Sequence, residues 1–291
     1  MPFFDTHDAT RLAYEDYGVG APVLFVSGWV LNADMWEYQV PFFVASGRRC
    51  VLLDRRGHGR SDRPSTGYDI DTRADDIAAL IEHLDLHDLT VAAHSAGGGE
   101  VVRYLARHGQ QRVTRLVLLA ATLPFLKLAD DNPAGLPQEA CDAAVDQFHR
   151  DRPRWFADRA QGYFATHLGN DVSPALVDNE LRRCLSASAT ATVEVWTSSF
   201  HTDFRDDVRA VRVPTLIIHG TADQSAPVDV TARRTAELLP GSVYKEYPTA
   251  GHGLYVTHAE QINADLLAFM ERPAERRPSS AYASSGNLLV E

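Results

Sequence analysis

The sequence predicts an α/β fold in which a mostly parallel central sheet is covered by helices on both faces. Short apolar strands alternate along the chain with amphipathic helical stretches, and this alternation is typical of parallel strands joined by helical crossovers. The 291 residues provide ample chain for a large core. Between residues 122 and 209 the strand signal disappears, which predicts a helical insertion in the α/β core.

Six strands are predicted in chain order, at residues 22–27, 49–53, 89–94, 116–120, 215–219 and 243–247. A helix over about 72–84 is indicated by Ile77, Leu80 and Ile81 at helical spacing, with Thr72 and Asp75 as its capping pair. A second helix, over 96–108, directly follows the third strand.

The predicted domain organisation follows from these elements. Residues 1–121 and 210–271 form the α/β core, and residues 122–209 form a helical insertion rich in aromatic residues. Residues 272–291 are rich in Pro, Ser, Arg and Ala and show no sustained period. This composition predicts a disordered tail.

Composition excludes several classes of partner. The formal net charge of −11 argues against nucleic acid, whose binding requires clustered Lys and Arg, and against anionic membranes. No segment has the roughly 18 uninterrupted apolar residues of a membrane-spanning helix, and the start of the chain lacks a basic region followed by an apolar run. We expect a soluble cytoplasmic protein.

Neither a disulfide nor a metal site is predicted. Cys50, Cys141 and Cys184 are odd in number and widely spaced, which favours small buried apolar side chains over a disulfide framework. His83 and His87 have the spacing of two metal ligands on a helix, but a third ligand is missing. We therefore expect no metal and no cofactor.

A sharp turn carries the candidate nucleophile. The strand at 89–94 stops at Ser95, and small residues, Ala93 and Gly97, stand two positions before and after it. This pattern is typical of a strand-turn-helix elbow, in which the serine adopts a strained backbone so that strand and helix approach closely. The following helix would direct its N-terminal amides at the serine oxygen and stabilise negative charge there.

A serine nucleophile requires a histidine base and a carboxylate. Asp223 follows the strand at 215–219, and His252 follows the strand at 243–247, so the chain order is serine, acid, histidine. Asp54 at the end of a strand and Asp62 in the following loop are alternative acids. His94 precedes the serine directly, but neighbouring strand residues point to opposite faces, which favours a structural role for it.

Several segments together resemble the α/β-hydrolases, and more closely their cofactor-free (non-haem) chloroperoxidase and esterase branch. The resemblance covers almost the whole chain. It is carried by Ser27-Gly28-Trp29, the segment 54–62 (DRRGHGRSD), Gly67-Tyr68-Asp69, the serine elbow, the segment 219–223 (HGTAD) and Gly251-His252-Gly253.

The resemblance implies roles for individual residues. It favours Asp223 over Asp54 as the acid of a Ser95, Asp223, His252 triad, and it implies an oxyanion hole made by the backbone amides of Trp29 and Ala96. It also implies that the insertion closes over the serine as a cap and forms the substrate pocket. Candidate lining residues are Val30, Leu123, Phe125, Phe156, Phe164, Trp196, Phe200 and Leu254.

The predicted activity is hydrolysis of a carboxylic ester or lactone of a small apolar substrate through an acyl-enzyme on Ser95. One alternative is chloroperoxidase or perhydrolase chemistry, in which hydrogen peroxide replaces water. Peroxidase-like members often carry proline where this chain has Val30, which disfavours that alternative. Another alternative, from a different class, is a non-catalytic small-molecule receptor on the same fold.

Overall fold

One eight-stranded sheet is the centre of the structure, a computed structural model that describes residues 2–273. Its strand order is β1-β2-β4-β3-β5-β6-β7-β8, with β1 and β2 antiparallel and all later strands parallel. This arrangement confirms the predicted α/β class. The strands are β1 Phe3–Asp5, β2 Arg11–Tyr17, β3 Ala21–Val26, β4 Arg48–Leu53, β5 Leu89–His94, β6 Val113–Leu119, β7 Thr215–Gly220 and β8 Val243–Tyr247.

The six predicted strands correspond to β3–β8. The antiparallel strands β1 and β2 are missing from the prediction, because β1 spans 3 residues and the 7 residues of β2 begin and end with polar side chains. The predicted disordered tail lies outside the described residues from residue 274 onward.

Helices cover both faces of the sheet, and five of them, α4–α8, lie between β6 and β7. The loss of strand signal between residues 122 and 209 therefore corresponds to helices, while the division into a core and a separate cap stays a prediction. The helices are α1 Val40–Ala45, α2 Ile70–His83, α3 Ala96–His108, α4 Gln138–Ala157, α5 Ala160–Phe164, α6 Pro174–Ser186, α7 Ala189–His201, α8 Arg205–Ala210, α9 Ala232–Leu238, α10 Leu254–Thr257 and α11 Ala259–Met270, with 3₁₀ turns at Ala33–Tyr38 and Thr166–Leu168.

Alternate residues of each strand belong to two separate hydrophobic cores. In β3, Leu24 and Val26 pack with residues of α2 and α3, whereas Val23 and Phe25 pack on the opposite face with residues of α11. Because strand side chains alternate between the faces of a sheet, a strand buried on both sides is apolar throughout. This explains the continuous apolar run of β3.

The cysteine side chains are all free thiols. Cys50 lies in β4, where burial raises the pKa of its thiol to about 12.

Among residues 2–273, no helix is both long and apolar enough to cross a membrane.

Helix α2 begins three residues earlier than the capping pattern predicts. Asp69 is its N-cap, because the Asp69 carboxylate accepts hydrogen bonds from the Thr72 amide at 2.9 Å and from the Thr72 hydroxyl at 2.7 Å. The predicted Thr72 and Asp75 capping pair is wrong. Asp75 instead pairs with Arg107 and His108 of α3.

We predict that Asp69→Ala lowers the free energy of unfolding by about 1 kcal/mol, because two donors at the start of α2 lose their acceptor. Urea denaturation measures this loss. The matched control is Asp75→Ala, which removes partly exposed ion pairs that are each worth roughly 0–1 kcal/mol. An Asp69→Ala variant that is as stable as the wild type would contradict the assigned cap.

Candidate active site

Ser95 forms the sharp turn between β5 and α3. Its backbone has φ 53° and ψ −124°, a region that non-glycine residues rarely adopt and that is typical of strained functional turns. The turn is tightly packed, because a Cβ atom on Gly97 would lie 2.6 Å from the carbonyl oxygen of Ser27. The expected elbow is therefore present, and its geometry requires glycine at position 97.

The structure brings Ser95, His252 and Asp223 together in one chain of hydrogen bonds. The Ser95 Oγ lies 2.8 Å from His252 Nε2, and His252 Nδ1 lies 2.7 Å from Asp223 Oδ2. These residues follow the parallel strands β5, β8 and β7, whose carboxyl ends meet at one edge of the sheet. With an ionised Asp223, Nδ1 carries the proton and Nε2 is free to accept the serine hydroxyl.

Asp223 is buried, and its environment keeps it ionised. Its Oδ1 accepts hydrogen bonds from the amides of Ser225 and Ala226, both at 2.8 Å. His219 Nε2 also lies 3.2 Å from Oδ2. Burial alone would raise the pKa of Asp223, but His252 and His219 outweigh burial and hold this pKa well below its usual range.

The carboxylates of the two alternative acids, Asp54 and Asp62, bond to backbone amides instead of to the candidate base. Asp54 is fully buried and accepts hydrogen bonds from the amide of Ala33 at 2.8 Å and the amide of Arg60 at 3.0 Å. Asp62 accepts from the amide of Arg11 at 3.0 Å. Asp54 therefore stabilises the turn that follows β4.

His94 contacts the backbone of the candidate base. Its Nε2 lies 3.0 Å from the carbonyl oxygen of His252, to which it donates, and the two rings are 4.8 Å apart. Burial lowers the pKa of His94 to about 3, and the neighbouring His252 adds to this effect. These contacts fit the structural role predicted for His94.

The loop after β3 lies directly against the serine. A Cβ atom on Gly28 would lie 3.3 Å from Ser95 Cβ and 2.5 Å from His94 Nδ1. Within residues 2–273, the amides of Trp29 and Ala96 donate to no protein acceptor. Both amides are therefore available as the oxyanion donors that the sequence resemblance implies.

Val30 adopts an unusual backbone conformation beside these donors. Its φ is +58°, in the left-handed region that β-branched residues rarely enter. Its side chain is buried with Phe156 and Ala187 of the insertion. The surrounding packing thus holds Val30 in a strained conformation.

An aromatic cluster of the insertion covers the Trp29 side chain. The Trp29 indole N–H donates to the Thr192 carbonyl oxygen of α7 at 2.9 Å. Ser95 and His252 are each only 5% exposed. The aromatic cluster around Trp29 consists of Phe148, Trp155, Phe156 and Trp196, with ring centroids 4.9–5.7 Å from that of Trp29.

The other predicted lining residues have different surroundings. Phe164 packs beside the loop of the candidate base, since a Cβ atom on Gly253 would lie 2.6 Å from its ring. Phe125 is half-buried with the Arg205 guanidinium 5.2 Å from its ring centre. Leu123, Phe200 and Leu254 are fully buried, with Leu123 and Leu254 in the two cores on opposite sides of the sheet.

Sequence reasoning missed Phe148 and Trp155. Both lie in α4, which is interrupted at Asp151 (φ −161°, ψ 74°) two residues before Pro153. Proline disrupts helical hydrogen bonding, and the kink brings aromatic residues from both halves of α4 to Trp29. A proline between aromatic residues in the segment 148–156 was the available signal.

The candidate metal-binding histidines have other partners. His83 stacks on Phe4, and His87 lies 3.0 Å from an oxygen of Asp85. In residues 2–273, no group of three His, Cys, Asp or Glu side chains could hold a metal ion.

Comparisons with known proteins agree with this architecture. A family model described as "alpha/beta hydrolase fold" matches residues 21–259. A non-haem haloperoxidase of Rhodococcus erythropolis is 41% identical, with 93% of this chain and 100% of the relative covered. A bifunctional esterase/perhydrolase of Acinetobacter calcoaceticus is 38% identical, with 93% and 99% covered.

Two solved structures show the same similarity. A bromoperoxidase from Bacillus anthracis superposes with a TM-score of 0.87 at 35% identity, covering 90% of this chain and 96% of the other. An esterase from Exiguobacterium antarcticum gives a TM-score of 0.88 at 31% identity, covering 93% and 99%.

We predict that the buried, neutral His94 makes stability pH-dependent. Its folded pKa is about 3 against an ordinary 6.5, so the unfolded chain binds the proton first and stability falls as pH drops from 6.5 toward 3. His94→Gln keeps a donor for the His252 carbonyl and should reduce this slope by about 1.4 kcal/mol per pH unit in urea denaturations. His87→Gln, which removes an exposed imidazole, is the control. Equal slopes for wild type and His94→Gln would refute the prediction.

Proposed function

Because this chain belongs to the α/β-hydrolase family, as its sequence motifs predicted, we propose that it is a serine hydrolase of the carboxylesterase or lactonase type. The chain of contacts from Ser95 Oγ to His252 Nε2 (2.8 Å) and from His252 Nδ1 to Asp223 Oδ2 (2.7 Å) carries this proposal. A weak hydroxyl nucleophile becomes reactive when an oriented base accepts its proton.

In the first half of the reaction, Ser95 Oγ attacks the ester carbonyl and His252 Nε2 takes the hydroxyl proton. The negative charge formed on the carbonyl oxygen is stabilised by the amides of Trp29 and Ala96. His252 then donates its proton to the leaving alcohol, which gives an acyl-enzyme on Ser95. Asp223 stays ionised and holds His252 in the required tautomer.

Water completes the reaction. His252 Nε2 removes a proton from a water molecule, which attacks the acyl carbon and passes through a second oxyanion at the same amides. Collapse of this intermediate returns the proton to Ser95 Oγ and releases the carboxylic acid. The proposed steps use residues of this chain alone.

The apolar side chains near Ser95 support the proposal of a small apolar substrate. The aromatic cluster and Val30 cover the oxyanion loop, and Phe164 covers the His252 loop. Ligand pockets are lined mainly by apolar and aromatic side chains. We propose Val30, Phe156, Phe164 and Trp196 as the main lining residues, while Leu123 and Leu254 support the pocket from the cores.

Perhydrolysis is the second candidate, and the names of the relatives favour it. Hydrogen peroxide would take the place of water at the acyl-enzyme, so that a peroxycarboxylic acid is released and can oxidise a halide. The Acinetobacter relative is named both esterase and perhydrolase. Val30, where peroxidase-like members often have proline, leads us to rank hydrolysis first.

We predict that Ser95→Ala folds normally but loses ester hydrolysis and labelling by a fluorophosphonate probe. Asp223→Asn should lower turnover about 10⁴-fold, the size of the analogous change in a serine protease, because His252 loses its correct tautomer. Hydrolysis of a graded series of p-nitrophenyl esters and lactones measures both effects. A wild type that fails to react with fluorophosphonate would support a receptor instead.

Asp54→Asn is the matched control, because Asp54, like Asp223, is a buried aspartate that follows a strand, but its carboxylate accepts from the amides of Ala33 and Arg60 and bonds to no histidine within residues 2–273. It should lower stability more than turnover per folded molecule. Inactivation by Asp54→Asn with retained activity in Asp223→Asn would show that the acid is wrongly assigned.

We predict that Val30→Pro raises the ratio of peracid formation to ester hydrolysis. Proline fixes φ near −65°, whereas Val30 has φ +58°, so the Trp29–Val30 peptide must rotate to accept proline. This rotation redirects the Trp29 carbonyl, which could then accept a hydrogen bond from peroxide at the acyl-enzyme. Acetate esters with hydrogen peroxide measure the ratio.

Val30→Gly is the control, since glycine tolerates a positive φ and keeps the amide donor. Its ratio should match that of the wild type. If the wild type forms peracid efficiently and Val30→Pro does not raise the ratio of peracid formation to hydrolysis, perhydrolysis would become the first candidate function.

A further inference from the structure

We propose that Arg55 and Glu100 act as positioning residues that set the direction of the Trp29 N–H and its separation from the Ala96 N–H. This inference rests on the proposed function, in which those two amides stabilise the oxyanion. Arg55 belongs to the segment 54–62, which is one of the segments that resemble the family. The resemblance implies no role for the Arg55 side chain.

Arg55 joins the oxyanion loop to the elbow helix. Its Nη1 donates to the Gly28 carbonyl oxygen at 3.1 Å, and its Nη2 donates to the Ser27 carbonyl oxygen. Its Nε lies 3.5 Å from Glu100 Oε2. Arg55 and Glu100 are 3% and 1% exposed, so water does not compete for these contacts.

The contact with Gly28 determines the direction of the proposed donor. In a planar trans peptide, the carbonyl of one residue and the N–H of the next point in opposite directions. The guanidinium that holds the Gly28 carbonyl therefore directs the Trp29 N–H away from Arg55. The Leu31 amide also donates to this carbonyl, at 3.2 Å, and so supports the same peptide orientation.

Glu100 connects this peptide to the second donor. It lies four residues after Ala96 in α3, so the helix that supplies the Ala96 amide also carries the carboxylate that holds Arg55. Glu100 Oε1 lies 2.6 Å from Arg73 Nη1 of α2, which immobilises the carboxylate from its other side. The ion pair thus links both sides of the proposed oxyanion hole.

Burial of these charges is costly, and this cost favours a role beyond stability. Taking an ion pair out of water often costs as much free energy as its attraction returns. Burial lowers the pKa of the Arg55 guanidinium, and Glu100 opposes this effect. The planar guanidinium holds two carbonyls and a carboxylate with donors on three separate nitrogens, whereas the three donors of a lysine share one nitrogen.

The experiment compares Arg55→Met with Arg56→Met. Arg56 is the adjacent residue, is also buried, and forms ion pairs with Asp76 at 2.7 Å and Asp8 at 2.9 Å instead of bonding to the Ser27 and Gly28 carbonyls. Arg55→Met should lower kcat for p-nitrophenyl esters about tenfold to hundredfold, somewhat less than loss of a whole oxyanion donor, with KM changed less than about threefold. Arg56→Met should lose stability but keep kcat per folded molecule.

A second readout separates donor geometry from general damage. A trifluoromethyl ketone forms a charged tetrahedral adduct with the serine, whereas the corresponding methyl ketone binds mainly as a ground-state analogue. The preference for the trifluoromethyl ketone should fall at least about tenfold in Arg55→Met and Glu100→Gln. It should persist in Arg56→Met and Asp76→Asn.

The outcomes are distinguishable. If the wild type neither hydrolyses esters nor reacts with fluorophosphonate, the proposed function fails. If the wild type is active and Arg55→Met matches Arg56→Met in kcat and in ketone preference, the positioning role is wrong while the function stands. If Arg55→Met does not fold, Arg55→Lys and Glu100→Gln decide by the same ketone comparison.

Discussion

The close approach of helix α3 to the end of β5 is the constraint on which the site depends. Ser95 holds φ at 53°, and its neighbours leave no room for side chains: Gly97 faces the Ser27 carbonyl and Gly28 faces Ser95 itself. This packing places the serine oxygen at the edge of the sheet where the His252 and Asp223 loops emerge. It also brings the first turn of α3 beside the loop after β3, so one local geometry arranges the nucleophile and both candidate donors.

Asp54 and Asp223 are both buried aspartates that follow strands, and their hydrogen-bond partners give them different roles. Asp54 is surrounded by backbone amides and Arg60, so its charge stabilises a turn. Asp223 has one oxygen on backbone amides and the other on His252 and His219. Only the second arrangement leaves a carboxylate oxygen to orient an imidazole. The sequence alone shows two aspartates and does not distinguish them in this respect.

Aromatic side chains of the insertion pack against the Trp29 ring beside the candidate site. The aromatic cluster surrounds the Trp29 ring, and the Trp29 indole is anchored to the Thr192 carbonyl of α7. Trp29, whose backbone amide is the proposed oxyanion donor, is therefore also tied to α7. We expect the position of the insertion to affect the geometry around Ser95 for this reason.

The sequence by itself determined the sheet strands β3–β8, the serine elbow and the serine, acid, histidine order. The strands and the elbow depend on local periodicity and on small residues at a turn, which are readable within a few positions, whereas the choice of Asp223 over Asp54 depended on the resemblance to the family. Tertiary structure decided what distant residues do: the cap of α2 at Asp69, the kink of α4 that supplies Phe148 and Trp155, and the contact of Arg55 with Gly28, 27 residues away. Such contacts join side chains brought together only by packing, and no local pattern encodes the partner of a buried charge or an aromatic ring.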